Sequence, residues 1–374
     1  MRATSSAARP REEDPGTPQT PRSGRILGVD VARAVAIAGM VMVHFTLTDP
    51  AGSGGQAAAL PDGPLGRVSL LFVLVLGVGV SLQDRGRSPT RRRTRLRLVW
   101  RAAVLLPLGL GLQVLDHGVS VILADLALLL LLAAAVLAWS DRRLLAASAA
   151  AFVAGPAVFV VVGMLAPDVI TGVAPALTDR PGRIVTGLVV GGVYPLVAGV
   201  GTLLLGMWLG RLDLTDLRLQ ARVLAVGVVG ALAMLWAGAV LVAVTPEPAP
   251  QWWVLAIDPE PHSQSFVWLW QAASAAVATL AVCLVVGQWA PRLVRPLVAL
   301  GQFAFTVYVA HILLMAADPE LVRGADVAGA GLRVAVFLVA ATLASMAWLA
   351  VVRRGPLEYL LDAPFVLPRR SRHS

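Results

Sequence analysis

The stretch Gly28–Phe45, GVDVARAVAIAGMVMVHF, decides how the rest of the chain is interpreted. It begins with an acidic and a basic residue three positions apart, Asp30 and Arg33, continues with ten apolar residues, and ends on His44 and Phe45. A mostly apolar segment of about 20 residues is long enough to cross a bilayer, where ionisable side chains are costly. We therefore predict a membrane helix whose ionisable residues serve the structure or the function of the protein.

The composition of the whole chain agrees with this interpretation. Of its 374 residues, 57% are hydrophobic and 14% are charged, and the mean hydropathy is +0.76. A soluble protein of this length could not bury so much apolar surface, so we predict an all-α, polytopic integral membrane helix bundle. The single cysteine, Cys283, lies within an apolar run, which excludes an internal disulfide and gives no indication of redox chemistry.

Apolar runs recur along the chain and are separated by turn-rich or Arg-rich breaks, which predicts about ten transmembrane helices. The runs lie at about residues 28–48, 68–83, 98–115, 119–139, 144–166, 186–209, 223–244, 266–287, 297–316 and 332–352. The second run is short for a membrane span, so we expect it to start deeper in the bilayer or to tilt.

The distribution of arginine predicts the orientation, since cytoplasmic segments of membrane proteins carry an excess of basic residues. All 31 basic residues are Arg. If the N-terminus is cytoplasmic, 26 of them fall in cytoplasmic segments and five in outer ones. We therefore predict a multi-pass protein of the cell membrane, a bacterial inner or plasma membrane, with both termini in the cytoplasm.

The two ends of the chain differ in composition from its middle. Residues 1–25 are rich in Pro, Ser and Arg and lack an apolar core, which predicts a disordered cytoplasmic tail rather than a cleavable signal peptide. Residues 26–354 form the predicted ten-helix transmembrane domain, and residues 355–374 form the predicted cytoplasmic C-terminal tail.

Five polar residues fall at a similar depth in the outer half of the predicted bundle. His44 ends the first run, and His311 lies about fourteen residues into the ninth. Asp116 and His117 form the turn between runs three and four, and Asp125 follows two helical turns later. A His beside a carboxylate is the usual pair for general base catalysis, because the carboxylate orients the imidazole. We therefore predict that these residues form a catalytic cluster.

Structural alternatives remain open for these residues. A solvated turn also accounts for Asp116 and His117, and a buried polar group bonded to a neighbouring helix accounts for Asp125. The cluster has no i, i+4 ligand spacing and no cysteine partner, so we predict no metal site.

Charged residues at the predicted cytoplasmic side form a second group. Asp30 and Arg33 are spaced i, i+3 and share a helix face, so they form a local ion pair or face a pocket for a phosphate-bearing donor. The Arg-rich segment Arg85–Arg101 fits contact with anionic lipid, and it also fits phosphate binding because Arg binds phosphate bidentately. Its apolar flanks argue against nucleic acid. The residues assigned to the donor are Asp30, Arg33, Arg95, Arg97 and Arg101.

Four short motifs together resemble one family. Residues Asp30–Ala36, DVARAVA, resemble the D-x-x-R-G-x-A start of the YeiB-like membrane acyltransferases, which include heparan-α-glucosaminide N-acetyltransferase. Gly206–Leu212, GMWLGRL, is similar to the family's L-x-G-x-x-x-G-R-L stretch. Leu300–Tyr308 is similar to its G-R-x-x-L-T-x-Y stretch, and Gly355–Tyr359, GPLEY, to its G-P-L-E-W motif. The matches occur in order and span residues 25 to 362.

The resemblance implies acyl transfer, commonly of acetyl, from cytoplasmic acyl-CoA to an amino sugar or hydroxyl on the other side, with a His at the outer end of the pocket. The chain departs from the family pattern at Ala34, which replaces a Gly, and at His44, where the family often has Asn. It also has no His between Phe45 and Val68. His311 instead resembles the Y-x-x-H pattern of another family of membrane acyltransferases, which O-acylate sugars.

We therefore predict a membrane acyltransferase that uses acyl-CoA (acetyl-CoA) as co-substrate and no metal. Its partners are the lipid bilayer and an extracytoplasmic glycan or small-molecule acceptor, with no nucleic acid, and a homodimer is open. His44 or His311 is the predicted general base, and Asp116 or Asp125 orients the imidazole. Two alternatives are a transporter or flippase for a lipid or glycan, with the intramembrane His and Asp as a proton relay, and a non-catalytic membrane subunit.

Overall fold

The computed structural model describes residues 25–47, 67–85, 90–318 and 327–366, and in these residues the chain forms helices, turns and loops without strands. The prediction of an all-α protein is confirmed. The predicted N-terminal tail, apart from Arg25, and the last residues of the predicted C-terminal tail, 367–374, lie outside the described residues.

Fourteen α-helices occur in the described part of the chain. They are α1 Leu27–Leu47, α2 Val68–Arg85, α3 Arg91–Leu112, α4 Leu123–Val136, α5 Asp141–Leu165, α6 Pro181–Thr186, α7 Leu196–Leu209, α8 Leu217–Val244, α9 Gln251–Ile257, α10 Phe266–Trp289, α11 Arg295–Gln302, α12 Ala304–Ala317, α13 Val327–Val351 and α14 Pro356–Val366. A π-helical turn, Gly187–Gly191, extends α6 towards α7.

Five of the described helices, α1, α5, α8, α10 and α13, are long and apolar enough to cross a membrane. Two bent pairs raise the number to seven: α6 with α7, bent by 53°, and α11 with α12, bent by 71°. Helices α2 and α4 are apolar but shorter, and α3 begins with a run of arginines. Each predicted apolar run thus coincides with one helix or one bent pair, while the count of ten spans and the cytoplasmic termini stay predictions.

The bundle is arranged around α1, which packs against α2, α10, α11, α12 and α13. Ala32, Ala34, Ala36, Ile37 and Val41 of this helix are completely buried. By contrast, only 11% of the apolar window of α8, and the same share of that of α13, is buried inside the protein. Exposed apolar helix faces of this size are expected where a protein contacts lipid.

Small residues allow the closest helix contacts. At Gly77 of α2 and Gly206 of α7, an added Cβ would collide with the carbonyl oxygens of Leu203 and Leu74, respectively. At Gly301 of α11, it would collide with the backbone of Asp30. Glycine is therefore required where α2 meets α7 and where α11 crosses the first turn of α1, in line with the close packing of membrane helices on small residues.

A short helix occupies part of the predicted C-terminal tail. Helix α14 begins at Pro356, a residue suited to the first helical turn because its missing N–H has no intrahelical role there. It packs against α3 and α12. The tail therefore contributes a structural element to one end of the bundle, beside the arginine-lined cavity described below.

Candidate active site

The main cavity opens at the end of the bundle where α1 and α3 begin and where α2 and α13 end. Its volume is about 510 Å³. Six arginines line it, far more than the carboxylates that face them, and the side chains at this end are polar. The lining arginines are Arg25, Arg33, Arg97, Arg101, Arg353 and Arg354. Such an excess of positive charge at a concave site favours an anionic ligand.

Two carboxylates hold four of these arginines in place. Asp30, which is 2% exposed, accepts hydrogen bonds from Arg25 and, at 2.6 Å, from Nη1 of Arg33. Asp362 of α14 forms ion pairs with Arg101 at 2.9 Å and with Arg354 at 2.6 Å. The guanidinium groups are therefore fixed in orientation before any ligand binds, which lowers the entropic cost of binding.

Away from the arginines the cavity walls become apolar. Phe72, Leu76, Val80, Leu105 and Leu126 form this part of the lining. The cavity ends at a floor of side chains from α12 and from the start of α4, which are Ile122, Leu123 and Tyr308. A charged opening that leads to an apolar end suits a ligand with a phosphate-bearing head and an uncharged arm.

Behind this floor, two histidines predicted from the sequence form a direct pair. Nδ1 of His44 and Nε2 of His311 are 2.9 Å apart, and the two rings meet edge to edge, with centroids 5.2 Å apart and 27° between their planes. His44 is 3% exposed and His311 is completely buried. The ring of Tyr308 meets that of His311 edge-on, with centroids 5.0 Å apart. The pair is thus separated from the cavity by one aromatic side chain.

The hydrogen bonds assign the tautomers of the two histidines. A carbonyl oxygen can only accept, so Nδ1–H of His311 donates to the Val307 carbonyl, 3.3 Å away. Nε2 of His311 then accepts from Nδ1–H of His44. In this tautomer Nδ1 of His44 carries the proton and Nε2 carries the lone pair. The partner that orients His44 at Nδ1 is therefore His311, in the position that the sequence assigned to Asp116 or Asp125.

Tyr308 was absent from the predicted catalytic cluster, although the sequence contained a signal for it. It lies one helical turn before His311, so both side chains share a face of α12. Its hydroxyl oxygen accepts a hydrogen bond from the backbone N–H of Ile122 at 3.2 Å, and this fixes the ring at the cavity floor. The Tyr308 O–H group can then donate a hydrogen bond to a ligand.

A second, much smaller pocket of about 20 Å³ lies on the other side of Ile122, which lines both spaces. Asp125 is part of its lining, together with Ser69, Tyr194, Gln264 and Trp268. These residues belong to the beginnings of α2, α4, α7 and α10 or to the segments just before them. Four of these five residues had no assigned role in the sequence analysis.

The remaining predicted site residues lie elsewhere. His117 is buried in the turn between α3 and α4, where it bonds to the Leu112 carbonyl at 3.0 Å and to the Val119 N–H at 3.3 Å. Burial lowers its pKa. This bonding fits the structural alternative of a turn residue. Asp116 is exposed on the same turn. The structure does not bring either residue into the histidine pair.

Most of the residues that were predicted to bind the acyl donor lie at the large cavity, but one does not. Arg33, Arg97 and Arg101 line the large cavity, and Asp30 supports Arg33. Arg95 is exposed on α3 and donates to the Ala134 carbonyl at 2.9 Å, outside the cavity lining. Among the described residues, no group of three or more His, Cys, Asp or Glu side chains is arranged to hold a metal ion.

The described helices are those of a helical membrane protein, and comparison with known families places it in the acetyltransferase type. The family described as heparan-alpha-glucosaminide N-acetyltransferase, catalytic, matches residues 25–235, which is more than half of the chain, and the chain belongs to this family. A second family, described as a protein of unknown function (DUF418), matches residues 213–363. No curated protein matches the chain in sequence. The YeiB-like and acetyltransferase-type resemblance read from the motifs is confirmed.

One carboxylate connects the C-terminal helix to the helix that carries Tyr308 and His311. Glu358 accepts hydrogen bonds from the backbone N–H groups of Phe305 at 2.9 Å and Thr306 at 3.0 Å, and from the Thr306 hydroxyl at 2.6 Å. It therefore caps the N-terminus of α12, where a negative charge is favourable.

We expect Glu358→Ala to lower the free energy of unfolding by about 1–2 kcal/mol, because three donors at the start of α12 lose their acceptor. Thermal unfolding of the purified protein in detergent measures the change. Glu358→Gln keeps one carbonyl oxygen as an acceptor and should lie between the wild type and Glu358→Ala. Equal melting temperatures for all three proteins would contradict this role.

Proposed function

We propose that the protein is an acyltransferase that moves an acyl group, in the first instance acetyl, from cytoplasmic acyl-CoA to an extracytoplasmic sugar or other hydroxyl or amine acceptor. The observation that carries the proposal is the arginine-lined cavity, which becomes apolar and ends at Tyr308, one ring away from the His44–His311 pair. Family membership supports the reaction class.

The donor occupies the large cavity in this proposal. Arg33, Arg97 and Arg101 bind the phosphates of acyl-CoA, since guanidinium groups form paired, charge-assisted hydrogen bonds with phosphate oxygens. The uncharged arm follows the apolar wall, so that the thioester reaches the floor. We place this opening at the cytoplasmic face of the cell membrane, in keeping with the excess of arginine there.

The histidine pair supplies the base. Nε2 of His44 takes the proton from the acceptor hydroxyl or amine, and His311 holds the imidazole through the 2.9 Å hydrogen bond. The acceptor oxygen or nitrogen bonds to the thioester carbon, and the Tyr308 hydroxyl donates to the carbonyl oxygen as negative charge develops on it. The carbon–sulfur bond then breaks, and the protonated base returns a proton to the CoA thiolate.

Membrane vesicles with the cytoplasmic face outward test the proposal. Vesicles from cells that overproduce the chain receive acetyl-CoA labelled in the acetyl group, and the extracted lipid and glycan fractions are counted after removal of CoA. We expect incorporation well above that of vesicles without the chain. If labelled acetyl were not incorporated and acetyl-CoA did not bind, the proposed acyltransferase activity would be contradicted.

The transporter or flippase remains the second candidate, because two observations favour it. Both bent helix pairs interrupt apolar runs, as in transporters whose binding sites lie at broken helices, and the buried histidine pair suits a proton relay. The same vesicles discriminate between the two functions. A transporter, like a non-catalytic subunit, would neither bind acetyl-CoA nor produce labelled acceptor.

A further inference from the structure

We propose that the small pocket beside Ile122 binds an alcohol group of the acceptor, so that the product of the reaction is an ester. We name this space, lined by Ser69, Asp125, Gln264 and Trp268 among others, the alcohol pocket. The inference rests on the proposed acyl transfer, and it selects the chemical class of acceptor that the proposed function leaves open.

Three buried polar atoms of the alcohol pocket have no hydrogen-bond partner among the described residues. They are Oγ of Ser69, Oε1 of Gln264 and Nε1 of Trp268. Their residues are 4%, 2% and 2% exposed, respectively. Buried polar atoms in folded proteins nearly always have a partner, because an unpaired one costs the full desolvation free energy. Three such atoms around one pocket therefore indicate a polar ligand.

The orientation of Gln264 is fixed by its other hydrogen bonds. Nε2 of its side chain donates to the carbonyl oxygens of Val193 at 2.9 Å and His262 at 3.0 Å. The side-chain oxygen is therefore the acceptor that remains for the pocket. His262 and Gln264 both have left-handed backbone conformations, with φ of 63° and 58°, which are unfavourable for residues other than glycine. Such strain often accompanies a functional position.

The donors and acceptors of the pocket select the ligand group. Nε1–H of Trp268 can only donate, Oε1 of Gln264 can only accept, and the hydroxyl of Ser69 does both. An alcohol satisfies this mixed set because it also both donates and accepts. An amine is mostly protonated at neutral pH, and in that form it only donates and would leave Trp268 without a partner. The carboxyl group of Asp125 can bond to an alcohol in either protonation state.

The size and surroundings of the pocket agree with this choice. Its volume of about 20 Å³ has room for one group the size of water, so it holds a single hydroxyl and not a whole sugar ring. Burial lowers the pKa of the neighbouring His262 to about 4, so its ring is neutral at pH 7 and adds no charge. The acceptor therefore presents an uncharged alcohol here.

The position of the pocket suits attack on the donor. Ile122 lines both the alcohol pocket and the floor of the large cavity, and its N–H holds the Tyr308 hydroxyl. The alcohol oxygen bonds to the thioester carbon as the carbon–sulfur bond breaks. Its proton passes to the base and then to the CoA thiolate, so the products are an ester and CoA.

Hydroxylamine at alkaline pH distinguishes the two classes of product, since it cleaves oxygen esters and leaves amides intact. The labelled acceptor from the vesicles described above is freed of acetyl-CoA and treated with hydroxylamine. We expect release of the label. Label that resists hydroxylamine would overturn the proposal of an alcohol acceptor and leave the proposed acyl transfer in place. Absence of any labelled acceptor would overturn both proposals.

Two buried serines provide a matched pair of variants. We expect Ser69→Ala to lower the initial rate of ester formation roughly 3- to 10-fold, the loss of one hydrogen bond, with an unchanged melting temperature and unchanged acetyl-CoA binding. Ser148 is equally buried, but its hydroxyl donates to the Gly201 carbonyl at 2.8 Å, away from both cavities. Ser148→Ala should lower the melting temperature and keep the rate per folded molecule. A wild-type rate for Ser69→Ala would overturn the proposal.

Discussion

Replacement of His44 by Ala is expected to lower the rate of acyl transfer by about 10²–10⁴-fold, the usual effect of removing a general base. The physical reason is the chain of hydrogen bonds from the Val307 carbonyl through His311 to His44, which places the proton on Nδ1 of His44 and the lone pair on its Nε2. Incorporation of labelled acetyl into the vesicles measures the rate, and acetyl-CoA binding to the purified protein shows that the variant still folds.

The double variant provides the control for this prediction. His311→Ala removes the group that orients His44 and should reduce the rate by a comparable factor. If the two residues act as one unit, His44→Ala with His311→Ala is scarcely slower than either single variant. If the rate reductions of the two single variants multiplied in the double variant, the two histidines would not act as one unit. Normal transfer by His44→Ala would show that His44 is not the general base.

The second large effect concerns the donor. Arg33→Ala and Arg101→Ala should each raise the Kd of acetyl-CoA by roughly 10- to 100-fold, because each removes charge-assisted hydrogen bonds of about 1.5–3 kcal/mol to phosphate. Equilibrium dialysis with labelled acetyl-CoA measures this change. The affinity should also fall with added salt, since salt screens the attraction between the phosphates and the partly buried arginines of the cavity.

Arg95 supplies the matched control for these arginines. It lies on the same helix as Arg101 and carries the same charge, but it points away from the cavity and bonds to the Ala134 carbonyl. Arg95→Ala should therefore keep the acetyl-CoA affinity of the wild type. Equal weakening by Arg95→Ala and Arg101→Ala would mean that only the net charge of this end matters, and it would contradict a defined phosphate site.

The helices and part of the site could be predicted from the sequence for simple physical reasons. Apolar length marks membrane helices, and the alternating direction of successive helices places residues at equal depth. That reasoning brought His44 and His311 together across a separation of 267 residues. The reasoning gave the depth of each residue in the membrane but not the side of the helix on which it lies. It therefore could not distinguish His44 and His311 from His117, which bonds within its own turn.

Other site residues required information that depth does not contain. Helical phase distinguishes Arg97 and Arg101, four residues apart on one face of α3, from Arg95, which projects from another face. This signal was present in the sequence. The role of Gln264 was not, because its orientation depends on left-handed backbone conformations and on the Val193 carbonyl of a distant segment.

The length of α8 ties the protein to the thickness of its membrane. The apolar part of this helix, residues 223–244, is about 33 Å long and follows Arg218 and Arg222, so it matches the hydrocarbon core of a typical bilayer, which is about 30 Å thick. Since little of α8 is buried and it packs chiefly on α10, a bilayer that is thinner or thicker than this would tilt α8 against α10. Helix α10 carries Trp268 of the alcohol pocket, so we expect lipid chain length to influence acceptor binding.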